Sequence, residues 1–296
     1  MALFDTSKLN IPFMKHRRIA AILSVILVIG SFVLFMTKGI NLGVDFTGGV
    51  EIQVRLAAEA DIAAIREALN AGGFSQVMIQ IYDDGSTSIR YQEPEEDARL
   101  ELVVRRILED RFGTVIVEKI DKVGPVVGEE LRNQTIVAVV LAICAILFYM
   151  AFRFRFRFGV AAIAGLIHVS IIVLGAYSLT GREVGTWFIA AILIVIGYSL
   201  NDTIVLLDRV RENWLQIGRM GVTELVNASI NQVLARTINT SITTLLPVLA
   251  MYFLGVEVMS NLAFAFMIGI IVGTYTSIYV VSSLIVEWYL RKPARR

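Results

Sequence analysis

Along the chain, apolar runs of membrane length alternate with short polar breaks, except between the first and second runs, where residues 38–133 have mixed polarity. A helix needs roughly 20 apolar residues to cross the hydrocarbon core. Runs of that size are predicted at 19–37, 134–152, 159–179, 187–207, 237–254 and 262–286. The first follows Lys15, Arg17 and Arg18, but it is too long for a typical secretory h-region. The Met36-Thr-Lys-Gly stretch after it lacks a small-x-small cleavage site, so it reads as an uncleaved anchor. The pattern predicts a polytopic α-helical membrane protein with six transmembrane helices.

Basic residues set the expected orientation. Lys8, Lys15, Arg17 and Arg18 precede the first span, and Arg153, Arg155 and Arg157 separate the second from the third. Arg209, Arg211, Arg219 and Arg236 fall between the fourth and fifth spans. Arg291, Lys292, Arg295 and Arg296 follow the sixth. The short opposite loops hold only Arg182 as a base. Both termini (1–18 and 287–296) and the 208–236 loop are therefore expected in the cytoplasm, and 38–133 outside.

The outside segment reads as a small folded domain. Val50–Leu56 alternates as a strand does, and 59–73 is helical with a glycine stop. Two further strands, 76–83 and 86–92, meet at Asp83-Asp84-Gly85, a hairpin signal. A helix over 93–113 ends at Gly113, and a last strand occupies 114–123. The order β-α-β-β-α-β is that of a small α+β ferredoxin-like domain between helices 1 and 2. Such a fold carries no function by itself. From Lys38 to Arg132 there are eleven basic and eighteen acidic side chains, so nothing in this segment would attract nucleic acid or anionic lipid.

Composition agrees with membrane residence: 56% of the 296 residues are apolar and the mean hydropathy is +0.70. Cys144 is the lone cysteine, which excludes an intrachain disulfide, and two histidines exclude a histidine-rich metal site. No nucleophile–base motif appears, so no enzyme activity and no cofactor are expected.

Candidate chemistry lies in polar residues within the spans. Asp202, beside Asn201, is the only ionisable side chain in the fourth span, and it lies about 9 Å of helix rise before Asp208. Tyr198 and Ser199 share its face at i−4 and i−3. A carboxylate so placed costs several kcal/mol (roughly 2.5–3.5 on insertion scales) unless paired, hydrated or protonated. It is either a group that loads and releases a proton or a buried structural hydrogen bond. At the start of the fifth span, Arg236, Asn239 or Thr240, Thr243 and Pro247 make a second polar face. Arg236 is either a counter-charge for Asp202 or a side chain snorkelling to the interface, and the threonines are candidates for hydrogen bonds across helices. His168 in the third span is a proton relay or a structural histidine. Asp45, Gly48 and Gly49, in Gly43–Ile52, suit a tight backbone crossing. Gly269 and Gly273 are a close-packing signature of the sixth span. A lone intramembrane carboxylate with a nearby arginine favours an ion-coupled membrane machine. It disfavours an intramembrane aspartyl protease, which needs two carboxylates, and a structural adaptor, which needs none.

Four stretches together resemble the SecF family of bacterial protein export: Gly43–Gly49, Val123–Leu131, Gly197–Asn213 and Arg236–Leu245. The resemblance covers nearly the whole chain. It implies one half of a resistance-nodulation-division-type assembly in the bacterial inner membrane, with SecD as the other half and a periplasmic outside domain. The function implied is use of the proton motive force to promote late movement and release of unfolded preproteins from the SecYEG channel, with YajC and YidC as further partners. Protons would pass near Asp202 and Arg236, with a carboxylate from SecD; Na+ is the alternative coupling ion. In many members the third-span histidine is followed by aspartate, where this chain has Val169. The competing reading is an exporter of lipids or small molecules from the same superfamily.

Overall fold

The structure is a computed structural model, which describes residues 10–57, 61–74, 77–81, 85–91 and 100–291. Lys8, Lys292, Arg295, Arg296, Asp83, Asp84 and residues 92–99 lie outside the described residues. The chain forms two units: Leu42–Val137, and the segments on either side of it up to Asn41 and from Ala138. Among the described residues six segments are long and apolar enough to cross a bilayer. They are α1 (Arg17–Thr37), α5 (Pro125–Arg153), α6 (Phe156–Thr180), α7 (Thr186–Asn213), α9 (Val222–Leu254) and a composite sixth. The sixth joins α10 (Glu257–Tyr275), a π-helical turn (Thr276–Val281) and α11 (Ser282–Arg291).

α6 is the most enclosed helix of the bundle, and its small residues are the reason. A Cβ on Gly165 would lie 2.7 Å from Val281 Cγ2, and one on Gly175 would overlap Ser31 of α1. In a membrane, where lipid is as apolar as leucine, such close backbone approach gives packing that side-chain hydrophobicity alone does not. The same device joins α7 to α10: a Cβ on Gly269 would sit 2.4 Å from Val195 Cγ1, and one on Gly273 3.2 Å from Ser199 Cβ. α5, by contrast, exposes apolar side chains along most of its length, including Val140, Leu141, Phe148 and Phe152.

Both ends of α1 are tied down. At its start, a 3₁₀ turn (Phe13–His16) and the residues before it are held by two asparagines of α9. Asn231 Oδ1 accepts from Ile11 N (2.9 Å) and Asn227 Oδ1 from Met14 N (3.1 Å), while both amides donate to Ile11 O. At the same end Arg17 pairs with Glu287 (3.2 Å) and Arg153 with Asp208 (2.5 Å). Beyond the C-terminus of α1, Ser178 Oγ donates to Gly39 O (2.7 Å), Asn41 Nδ2 to Gly181 O (2.9 Å) and Val184 N to Asn41 O (2.8 Å).

The stretch 208–236, expected as a loop, is largely helix. α7 runs on to Asn213, a 3₁₀ turn at Trp214–Gln216 and the short α8 (Ile217–Met220) make the connection, and α9 begins at Val222. Polarity marks where a helix leaves the hydrocarbon, not where it stops, and these polar turns keep apolar faces. Val210, Leu225, Val226 and Ile230 are buried there.

The Leu42–Val137 unit carries β1 (Gly49–Leu56), α3 (Ile62–Ala71), β2 (Val77–Ile81), β3 (Ser86–Tyr91), α4 (Leu100–Phe112) and β4 (Val115–Val123), preceded by the single turn α2 (Val44–Thr47). The sheet order is β2-β3-β1-β4 with every neighbouring pair antiparallel, the arrangement of a ferredoxin-like fold. Ile52, Val54, Ile79, Ile89 and Val115 of the sheet pack with Ile65 and Leu69 of α3 and Val104 and Leu108 of α4. β2 and β3 are joined as a hairpin, with Gly85 at φ +82°.

The entry and exit of this unit cross in backbone contact. Gly48 and Gly49 have φ of +68° and +109°, conformations that L side chains rarely adopt. A Cβ on Gly48 would meet Pro125 Cα at 3.4 Å, and one on Gly128 would meet Gly48 N at 3.3 Å. Asp45 is half-buried in the first turn of α2.

Candidate functional site

The site grows from one buried carboxylate. Asp202 is 4% exposed in the middle of α7, flanked by buried Ser199 and Thr203. Among the described residues it makes no ion pair within 4 Å; Thr274 of α10 is its hydrogen-bond partner, with Oγ1 3.5 Å from Oδ2. Thr274 is in turn 2.8 Å from Ser241 Oγ of α9. Three helices thus meet through a hydroxyl–hydroxyl–carboxylate chain. Arg236 of α9, the candidate counter-charge, is not that hydrogen-bond partner and is exposed on the surface of this chain.

The π turn explains why α10 can serve several neighbours. One extra residue per turn re-aims the side chains on either side of it, and such turns cluster at functional sites. Thr276 Oγ1 lies 2.9 Å from His168 Nδ1 on α6, and Ser277 Oγ lies 2.9 Å from Thr203 Oγ1 on α7. The Ser277 carbonyl accepts from Ser282 Oγ (3.1 Å), five residues on. Just before the turn, Tyr275 OH donates to Ala20 O of α1 (2.7 Å) and accepts from Ser24 Oγ (2.9 Å).

The residues singled out from sequence fall into separate places. Asp202 lies in the buried cluster; His168 is joined to the π turn through Thr276, and among the described residues its buried Nε2 has no hydrogen-bond partner. The Tyr198 hydroxyl, Ser199 Oγ and Asn239 Oδ1 are likewise buried and unbonded. Asn201 and Thr243 are exposed, as is Arg236. Among the described residues Thr240 and Thr243 make no hydrogen bond across helices. Their hydroxyls donate within α9, to Arg236 O (3.0 Å) and Asn239 O (2.8 Å) respectively, because a threonine in a helix has its own carbonyl four residues back within reach. Gly269 and Gly273 seat α10 against α7, which sets the distance from Thr274 to Asp202.

Sequence reading passed over Thr274, Thr276, Ser277 and Ser241. The signal available was the unusual hydroxyl density of Thr274–Ser277 inside an apolar span.

Comparison with known proteins fixes the family. The profile for "Protein export membrane protein SecD/SecF, C-terminal" matches residues 103–291, and that for the "SecD/SecF GG Motif" matches 33–60. The chain belongs to the SecD/SecF family. It is 42% identical to the protein translocase subunit SecF of Desulfurispirillum indicum, over 94% of this chain and 91% of that one. Against SecF of Haemophilus influenzae the identity is 38%, over 95% and 86%. The protein translocase subunit SecDF of Thermus thermophilus is 42% identical over 87% of this chain, which spans only 36% of that longer protein. The crystal structure of SecDF from Thermus thermophilus, a translocon-associated membrane protein, superposes with a TM-score of 0.86 at 40% identity, covering 95% of this chain and 39% of that one.

Proposed function

We propose that the protein is the SecF half of a SecD–SecF pair that uses an ion gradient to promote late movement and release of preproteins from the Sec translocon. The observation that carries the reading is a carboxylate buried in a membrane span with hydroxyls, not a cation, as its immediate neighbours. A permanent charge there is costly unless balanced, whereas a group that alternates between charged and neutral forms spends part of its cycle without that cost. Full-length similarity to SecF supports the translocase role, and the fused SecDF relative supports SecD as partner.

Asn201 and Thr243 are exposed on this chain within the fourth and fifth spans, and Arg236 at the start of the fifth. Polar side chains left facing lipid are costly, so SecD is the expected cover, with a carboxylate opposite Arg236. The basic loops favour both termini in the cytoplasm and the ferredoxin-like unit in the periplasm of a bacterial inner membrane. The work is conformational, with H+ as the coupling ion, or Na+, and no enzyme chemistry or cofactor.

Complementation tests this reading. In cells depleted of their own SecD and SecF, this chain with its SecD partner is expected to restore maturation of a secreted reporter. Unchanged accumulation of precursor, with both chains inserted at normal levels, would contradict it.

A further inference from the structure

Among the described residues Asp202 touches no cation, so a change of its charge needs another route to a neighbouring helix. We propose that Thr274 is a positioning residue for Asp202, its hydroxyl relaying the state of the carboxyl group to α9 through Ser241 by reversing the direction of two hydrogen bonds. The inference rests on the reading of Asp202 as the coupling carboxylate.

With Asp202 ionised, the carboxylate only accepts, so Thr274 donates to Oδ2 and must accept from Ser241. With Asp202 protonated, its O–H donates to Thr274 Oγ1. The Thr274 hydrogen then turns to Ser241, which loses an acceptor and must direct its own hydrogen elsewhere. No covalent bond beyond the O–H of Asp202 changes.

Packing makes the hydroxyl the part that turns. Gly273 sits against Ser199, Thr276 is bonded to His168, Ser277 to Thr203 and Tyr275 to α1. With α10 fixed on three sides around Thr274, rotation of the whole helix would break all of these contacts, whereas a hydroxyl rotor breaks none. Ser241 lies five residues after Arg236 on α9, so the far end of the relay is on the helix that carries the cation.

The test compares Asp202→Asn, Thr274→Val and Thr274→Ser at equal levels in vesicles holding this chain, its SecD partner and the translocon. Gradient-stimulated preprotein translocation is read beside the infrared C=O band of protonated Asp202. Thr274→Val keeps shape and loses the hydroxyl. It is expected to lower stimulation about tenfold, the scale of one hydrogen bond to a charged group, and to shift the band, with Thr274→Ser restoring both. Full stimulation in Thr274→Val while Asp202→Asn loses it would overturn the relay and leave the coupling reading standing. Full stimulation in Asp202→Asn would overturn both. Equal loss in Thr274→Val and Thr274→Ser with the band unmoved would make Thr274 a packing residue only. Should Thr274→Val fail to assemble, Ser241→Ala leaves Thr274 in place and is expected to lower stimulation likewise; wild-type stimulation there overturns the proposal.

Discussion

Asp202 and Arg236 share a site without sharing a salt bridge, so substitutions at the two positions should differ in kind. Asp202→Asn preserves volume and hydrogen bonding but removes titration, and loss of gradient response with normal assembly is expected. Arg236 is exposed on this chain, so its defects should depend on the partner. Arg236→Gln is expected to lower gradient-driven export about tenfold, as loss of a charge-assisted hydrogen bond does. Arg236→Lys, which keeps charge without the planar fork, should lose less. Equal export in the wild type, Arg236→Gln and Arg236→Lys, measured at matched levels, would favour simple snorkelling. Asp202 was legible in the sequence because one acid stands out in an apolar run. Its hydroxyl partners were not, because serine and threonine are common in membrane helices and only packing distinguishes a partner from a bystander.

Glycines set the closest approaches between the helices, beside a core of large apolar side chains. Gly269 faces Val195 so closely that Gly269→Ala is expected to destabilise the bundle by about 1–3 kcal/mol, the usual cost of overpacking. Val195→Ala in the same chain should recover much of that loss in a detergent melting experiment. Simple addition of the two losses would mean that α10 does not depend on this contact. Span number and the β-α-β-β-α-β order could be read from hydrophobic periodicity, since length and alternation are local properties. The π turn could not, because it arises where helix contacts override the local preference of Thr276–Val281. The helical character of the 208–236 connection is hidden in the sequence for the converse reason: its charges mark departure from lipid, not the end of a helix.

At the scale of the molecule, much of α5 and the polar side chains Asn201, Arg236 and Thr243, which make up the strip to be covered, are left exposed by this chain alone. A second membrane chain is expected to cover the strip. In a Cys144→Ser background, Asn201→Cys should react with a membrane-permeant maleimide when the protein is made alone, and resist it when SecD is present. Equal reaction in both cases would place SecD elsewhere. The fold of each unit followed from sequence, whereas this uncovered face did not, because exposure is a property of the packed bundle.

The most direct measurement follows preprotein translocation into vesicles containing this chain, SecD and the translocon, with the ion gradient present or collapsed. Stimulation by the gradient in the wild type, absent in Asp202→Asn, is the predicted result. Undiminished stimulation in Asp202→Asn would contradict the claim that this carboxylate couples the gradient to export.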